Sequence, residues 1–67
     1  MNRAYKCILK FMEKNNITEE EFCEKCKITK RTLNAIKRKS IKFPLTHFLS
    51  IAEVLDIEPL ELLYKFI

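Results

Sequence analysis

The chain has no glycine and no tryptophan, only two prolines and a single histidine, and between Lys25 and Lys42 it has no acidic residue at all. Without glycine, and with so little proline, the usual punctuation of hairpins is missing, and the apolar residues recur at helical rather than alternating spacing. An all-α fold is the economical reading. Uninterrupted apolar runs stop at three residues, as at Leu62 to Tyr64, far short of the ~20 that cross a bilayer. No apolar segment follows a basic start, so no secretory signal is expected and the expected location is cytoplasmic. Three cysteines are an odd number, and without an export signal they read as reduced thiols rather than a disulfide framework. At 67 residues the chain makes one domain, residues 1–67, in which every apolar helical face is needed for the core.

What is present is basic charge, unevenly spread. Residues 1–42 carry 12 Lys and Arg against 5 Glu, whereas residues 43–67 carry one Lys against four acids. Eight basic residues (Lys25, Lys27, Lys30, Arg31, Lys37, Arg38, Lys39 and Lys42) fall in the acid-free window. One-sided charge of this kind is the footprint of a polyanion-binding face, with a merely solvated face as the plainer alternative.

Taken in order, the pattern predicts a first helix from about Arg3 to Lys14. Tyr5, Ile8, Leu9 and Met12 form its buried stripe, and Asn15 and Asn16 end it. Ile17 then plugs the core. Thr18 and Glu21 make a capping box that opens helix two, about residues 18–26. Ile28 is a buried turn residue, and Thr29 caps a third helix, the region of about residues 29–38. Leu33 and Ile36 are the only large apolar residues of that helix, so most of its circumference is left exposed, with Lys30, Arg31, Asn34, Lys37 and Arg38 upon it. After a linker from Lys39 to Phe43, Pro44 signals helix four, whose stripe is Leu45, Phe48, Leu49, Ala52 and Leu55, widened by Ile51. Pro59 opens the last helix. That helix has two apolar stripes, Leu60, Leu63, Tyr64 and Ile67 on one side and Leu62 and Phe66 on the other. Either a small core buries both, or one stripe is a homodimer contact.

Five short helices, a small residue at Cys23, a turn at 26–28 and apolar positions at Ile28, Leu33 and Ile36 resemble the Cro and lambda-repressor-like helix-turn-helix family, also called Xre. The resemblance extends from about Ile8 to Leu63. Within it, NITEEEFCEKCKITKRTLNAIKR matches helix two, turn and recognition helix, and FPLTHFLSIAEVLDIEPLELL matches the closing helices. The resemblance implies a compact five-helix, lambda-repressor-like domain and a sequence-specific DNA-binding transcriptional regulator acting as a repressor. Helix three would then read the major groove with Lys30, Arg31, Thr32 and Asn34. Arg or Lys suits guanine O6 and N7, Asn suits adenine, and Ala35 suits a thymine methyl. Lys27, Lys37, Arg38, Lys39, Ser40 and Lys42 would meet phosphates. If ~5 of the basic side chains do so, log affinity falls with log salt at a slope of roughly −4 to −5. The chain departs from the family pattern at Glu19 to Glu21, where Gln is common, and at Lys27, where Gly is usual. Lys37 stands where Glu is frequent, and Pro44 sits one residue late.

Other chemistry is weaker. Cys23 and Cys26, with Cys7 and His47, supply four soft ligands, but both members of the pair fall inside a helix at packing positions, so no metal site is expected. His47 is read as a surface residue, and Glu19 to Glu24 as a solvated acidic face. No catalytic constellation, cofactor or small-molecule ligand is expected, and the chain is not read as an enzyme. Double-stranded DNA is the expected partner, and a second copy of the chain is a further partner if the last helix keeps one apolar stripe for a homodimer contact. The rival is a protein-interaction module of the same fold, an antitoxin or anti-repressor partner using the Glu-rich face or the last helix. RNA binding ranks third, since helix three has no exposed aromatics to stack on bases.

Overall fold

The computed structural model describes residues 2–67, and among them the chain forms five helices and no strand: α1 (Arg3–Asn15), α2 (Glu19–Cys26), α3 (Lys30–Lys37), α4 (Leu45–Leu55) and α5 (Pro59–Phe66). The first three open on a side-chain cap. Asn2 Oδ1 accepts the Tyr5 N–H at 2.7 Å, Thr18 and Glu21 form the reciprocal capping box, and Thr29 Oγ1 accepts the Thr32 N–H at 3.3 Å. The last two open without one. Pro44 precedes α4 in an extended conformation, and Pro59 occupies the first turn of α5, where its missing N–H is not needed.

Four non-glycine residues, Asn16, Lys27, Lys39 and Asp56, have left-handed backbones with φ between 53° and 59°. Each follows the end of a helix. At each, the next residue's N–H returns to a carbonyl five positions back: Ile17 to Met12, Ile28 to Cys23, Ser40 to Ala35 and Ile57 to Ala52, at 2.8–3.0 Å. This is the Schellman closure, normally completed by glycine. Here three of the four following residues are isoleucines that pack on the core, and their burial offsets the ~1 kcal/mol that a side chain costs in the left-handed region.

The core is continuous across all five helices. Phe22, Ile8, Leu33, Ile36, Ile51, Leu62 and Cys26 are its largest fully buried side chains, each of the aliphatic and aromatic ones contributing about 1.5–3 kcal/mol of burial. α1 packs chiefly on α5, α2 on α4 and α3, and α3 also on α1. Phe11 meets Phe22 edge-on with centroids 5.8 Å apart, and Phe43, Phe48 and Phe66 form a second aromatic cluster at 6.0–6.2 Å.

Two apolar expectations are corrected. Leu45 and Leu49, assigned to the buried stripe of α4, are 70% and 44% exposed; the fully buried residues of this helix are Phe48, Ile51 and Ala52, with Val54 and Leu55 packed at the edge of the core. In α5 only Leu62 and Phe66 are buried. Leu60, Leu63, Tyr64 and Ile67 remain exposed, so this domain does not bury both stripes.

Candidate nucleic-acid interface

The second and third helices with their turn present the basic segment as a surface. Lys27 holds the left-handed turn with φ 58° and ψ 44°, which aims α3 away from α2. Along α3 the exposed side chains are Lys30, Arg31, Asn34 and Lys37, and Arg38 follows at its C-terminal cap. Lys27, Lys39 and Lys42 are also exposed and Ser40 is half-buried, its hydroxyl accepting the Lys42 N–H at 3.3 Å. Lys39 Nζ reaches the Ile67 carbonyl at 3.3 Å, an exposed contact that leaves the ammonium in water.

Two residues expected on the base-reading face lie inside. Thr32 is 2% exposed and Ala35 5%. Leu33 and Ile36 alone suggest a narrow buried stripe, but the small residues Thr32 and Ala35 are buried beside them. The Thr32 hydroxyl lies 2.8 Å from His47 Nδ1 and 3.4 Å from the Thr29 hydroxyl. Its work is therefore to pin α3 against α4. His47, expected as a plain surface residue, is the half-buried other end of this contact.

The opposite flank of α3 is pinned by residues that hydropathy does not single out. Asn2 is buried, and while its Oδ1 caps α1 its Nδ2 donates to the Ile36 carbonyl at 2.7 Å and, more distantly, to the Lys37 carbonyl at 3.4 Å. One amide thus satisfies the start of α1 and the end of α3. Beside it, Lys37 Nζ lies 2.9 Å from Glu19 Oε2 and 5.3 Å from the centroid of the Tyr5 ring, and the Tyr5 hydroxyl donates to Glu19 Oε2 at 2.8 Å. Glu19 is held well on the ionised side: Lys37 and then the Tyr5 hydroxyl lower its pKa against a smaller opposing effect of burial. The same contacts raise that of Lys37, the Glu19 carboxylate first. For Tyr5, burial and then the Glu19 hydrogen bond push the phenol upward. Lys30 makes a looser pair with Glu20 at 3.5 Å, both side chains largely in water. Glu20 is solvated as expected, whereas Glu19 bridges α2 to α3 and to Tyr5 of α1.

The cysteines take no part in this surface. Cys23 and Cys26 are buried; desolvation raises both thiols, that of Cys26 to about 12, which keeps it protonated and unreactive. The described residues hold no group of three potential metal ligands. Nor is any described helix long and apolar enough to cross a membrane.

A second surface lies around α5. Ile41, Phe43, Leu45, Phe48, Leu63 and Phe66 line an apolar groove of about 200 Å³, and Leu60, Tyr64 and Ile67 extend the exposed apolar area along the helix. Ile41 and Leu45, 80% and 70% exposed, were not among the residues expected at an interface. Ile41 lies in the linker, where no periodicity reports its direction.

An α3 that follows a tight left-handed turn after α2, inside five helices and with its outer face basic, defines a helix-turn-helix domain. A family model described as helix-turn-helix matches residues 8–62, and the chain belongs to this family, of the Cro and lambda-repressor (Xre-like) type. In general terms it is a DNA-binding transcriptional regulator. No curated protein and no solved structure matches the chain.

Proposed function

We propose that the protein is a sequence-specific repressor that inserts α3 into the major groove. The observation that carries this reading is the pairing of an exposed basic face on α3, a helix with no acidic residue of its own, with rigid support behind it on both flanks. Reading bases needs side chains placed to within a fraction of an ångström, which a helix pinned at Asn2 and at Thr32 provides. Lys30, Arg31 and Asn34 are the base-reading set, Arg31 and Lys30 donating to guanine and Asn34 pairing with adenine. Lys27, Arg38, Lys39, Ser40 and Lys42 meet phosphates and fix register without reading sequence.

The exposed apolar stripe of α5, Leu60, Leu63, Tyr64 and Ile67, together with Ile41 and Leu45, joins two copies of the chain. Two recognition helices about 34 Å apart then match half-sites one helical turn apart. Occupancy of such an operator blocks polymerase by occlusion.

Selection from a randomised duplex library, followed by fluorescence anisotropy with a salt titration, tests the reading. A palindromic motif is expected. Arg31→Ala should lose about 1–3 kcal/mol at one base position of that motif and little on random DNA, whereas Lys39→Ala should weaken all sequences alike and flatten the salt slope by about one unit. Equal losses on cognate and random duplexes for Arg31→Ala would refute base reading by α3.

A further inference from the structure

Two lysines of α3 face glutamates in the first turn of α2, and the two pairs differ in kind. Lys30 and Glu20 stand 3.5 Å apart with side chains 57% and 79% exposed, and among the described residues neither side chain has another hydrogen-bond or ion-pair partner. Such a pair contributes little and yields readily to a competing anion. Lys37 and Glu19 stand 2.9 Å apart with side chains 37% and 35% exposed. The oxygen of Glu19 that meets Lys37 also accepts the hydroxyl of Tyr5, whose residue is 4% exposed, and the Lys37 ammonium lies over the Tyr5 ring. The backbone of Lys37 is held as well, since Asn2 reaches the Ile36 and Lys37 carbonyls.

We propose that Glu19 is an internal counterion: it withdraws Lys37 from phosphate binding and, through Lys37 and Tyr5, fixes the end of α3 against α1 and α2. This deepens the DNA-binding reading and rests on it. A phosphate that claimed Lys37 would have to break a charge-assisted hydrogen bond and the contact with Tyr5, and would leave the Glu19 carboxylate uncompensated beside the polyanion. Lys37 is therefore a positioning residue rather than a phosphate contact. Four cations, Lys27, Arg38, Lys39 and Lys42, remain for phosphates, and the salt slope becomes roughly −3.5 in place of the −4 to −5 expected when Lys37 is included.

The slope discriminates because it counts released counterions, which a purely structural role does not alter. The full chain, E19Q and E19Q/K37Q are titrated with salt on a random-sequence duplex of about 20 base pairs, read by fluorescence anisotropy. E19Q frees Lys37, and the slope should steepen by about 0.9, equivalent to an extra loss of about 3.5-fold in affinity between 50 and 200 mM salt. E19Q/K37Q should return to the slope of the unaltered chain, since both carry no net charge at the pair.

A double variant flatter than the unaltered chain by about 0.9 would mean that Lys37 already meets phosphate, and overturns the proposal. A double variant as steep as E19Q would mean that Glu19 acts only by its own repulsion, and overturns it equally. A DNA-free cycle separates this proposal from the reading beneath it: urea unfolding of the unaltered chain, E19Q, K37Q and the double variant should show non-additive losses. Additive losses overturn the lock even if DNA binds. If no duplex binds at low salt, the DNA-binding reading fails and the unfolding cycle alone decides the lock.

Discussion

Residues 2–40 and residues 41–67 share one apolar core but differ in the contacts that supplement it. In the first region every helix opens on a side-chain cap, and α3 is held on its α1 and α2 flank by the Asn2 amide and by the Tyr5, Glu19 and Lys37 cluster. In the second, neither helix has a side-chain cap. Its interior is an aromatic cluster of Phe43, Phe48 and Phe66, and all seven exposed large hydrophobic residues of the described chain lie here, from Ile41 to Ile67. Hydrogen bonds are directional and apolar burial is not. Polar contacts are concentrated where one helix has to be aimed, and apolar surface where a partner of the right shape suffices.

The largest test of this contrast lies in the second region. Phe66→Ala removes the aromatic that touches both Phe43 and Phe48, and urea unfolding should show a loss of about 3–5 kcal/mol. A loss below about 1 kcal/mol would mean that the cluster does not hold α5. In the first region, Asn2→Ala strips a cap and two carbonyl contacts together, with an expected cost of about 1–2 kcal/mol. It should also weaken cognate DNA more than random DNA, because α3 loses its aim. Uniform weakening would break the comparison, since Asn2 would then serve stability alone.

The exposed apolar face should respond in the opposite sense. Leu60→Glu, at a side chain 78% exposed, should change the stability of the dilute protein by no more than about 0.5 kcal/mol while abolishing concentration-dependent sedimentation. If the unaltered chain sediments as a monomer at every concentration, this face does not join two copies.

The smallest effect concerns pH. Glu19 has its carboxyl pKa depressed below the ordinary 4.5 by Lys37 and then Tyr5, so its stabilisation is complete above that value and is lost as pH falls through the lower folded one. Unfolding midpoints of E19Q should therefore fall less steeply below about pH 4.5 than those of the unaltered chain. Parallel acid limbs would show that Glu19 titrates as it does in the unfolded chain.

Much of the fold was legible because each boundary has a local chemical cause. The Thr18 and Glu21 box, the Thr29 cap and Pro59 mark helix starts to within a residue, and the 3.6-residue spacing of Ile8, Met12 and Phe22, Leu33, Ile36 marks the core. Family membership was legible in the same spacing, over nearly the span that the helix-turn-helix model matches. The fine structure of the candidate site was less so. Thr32 and Ala35 are small, and hydropathy does not say whether a neighbouring helix covers a small residue. Asn2 and Glu19 act on residues 34 and 18 positions away, a distance over which a polar residue's partner leaves no periodic signal. The acidic first turn of α2 was a departure from the family pattern, and the basic residue at Lys37 was another. Their conjunction at 2.9 Å makes each the explanation of the other.

The glycine-free helix ends have a consequence for folding. A glycine enters the left-handed region unaided, so a helix followed by one stops even in an isolated peptide. Lys27 has no such tendency; its turn forms because Ile28 is buried and its N–H finds the Cys23 carbonyl. The stop of α2 thus relies on the assembled core, whereas the start of α3 carries its own local signal in the Thr29 cap. The angle between the two helices therefore depends on the burial of Ile28 as well as on the turn itself, so a change that loosens the packing at Ile28 should disturb the recognition surface too.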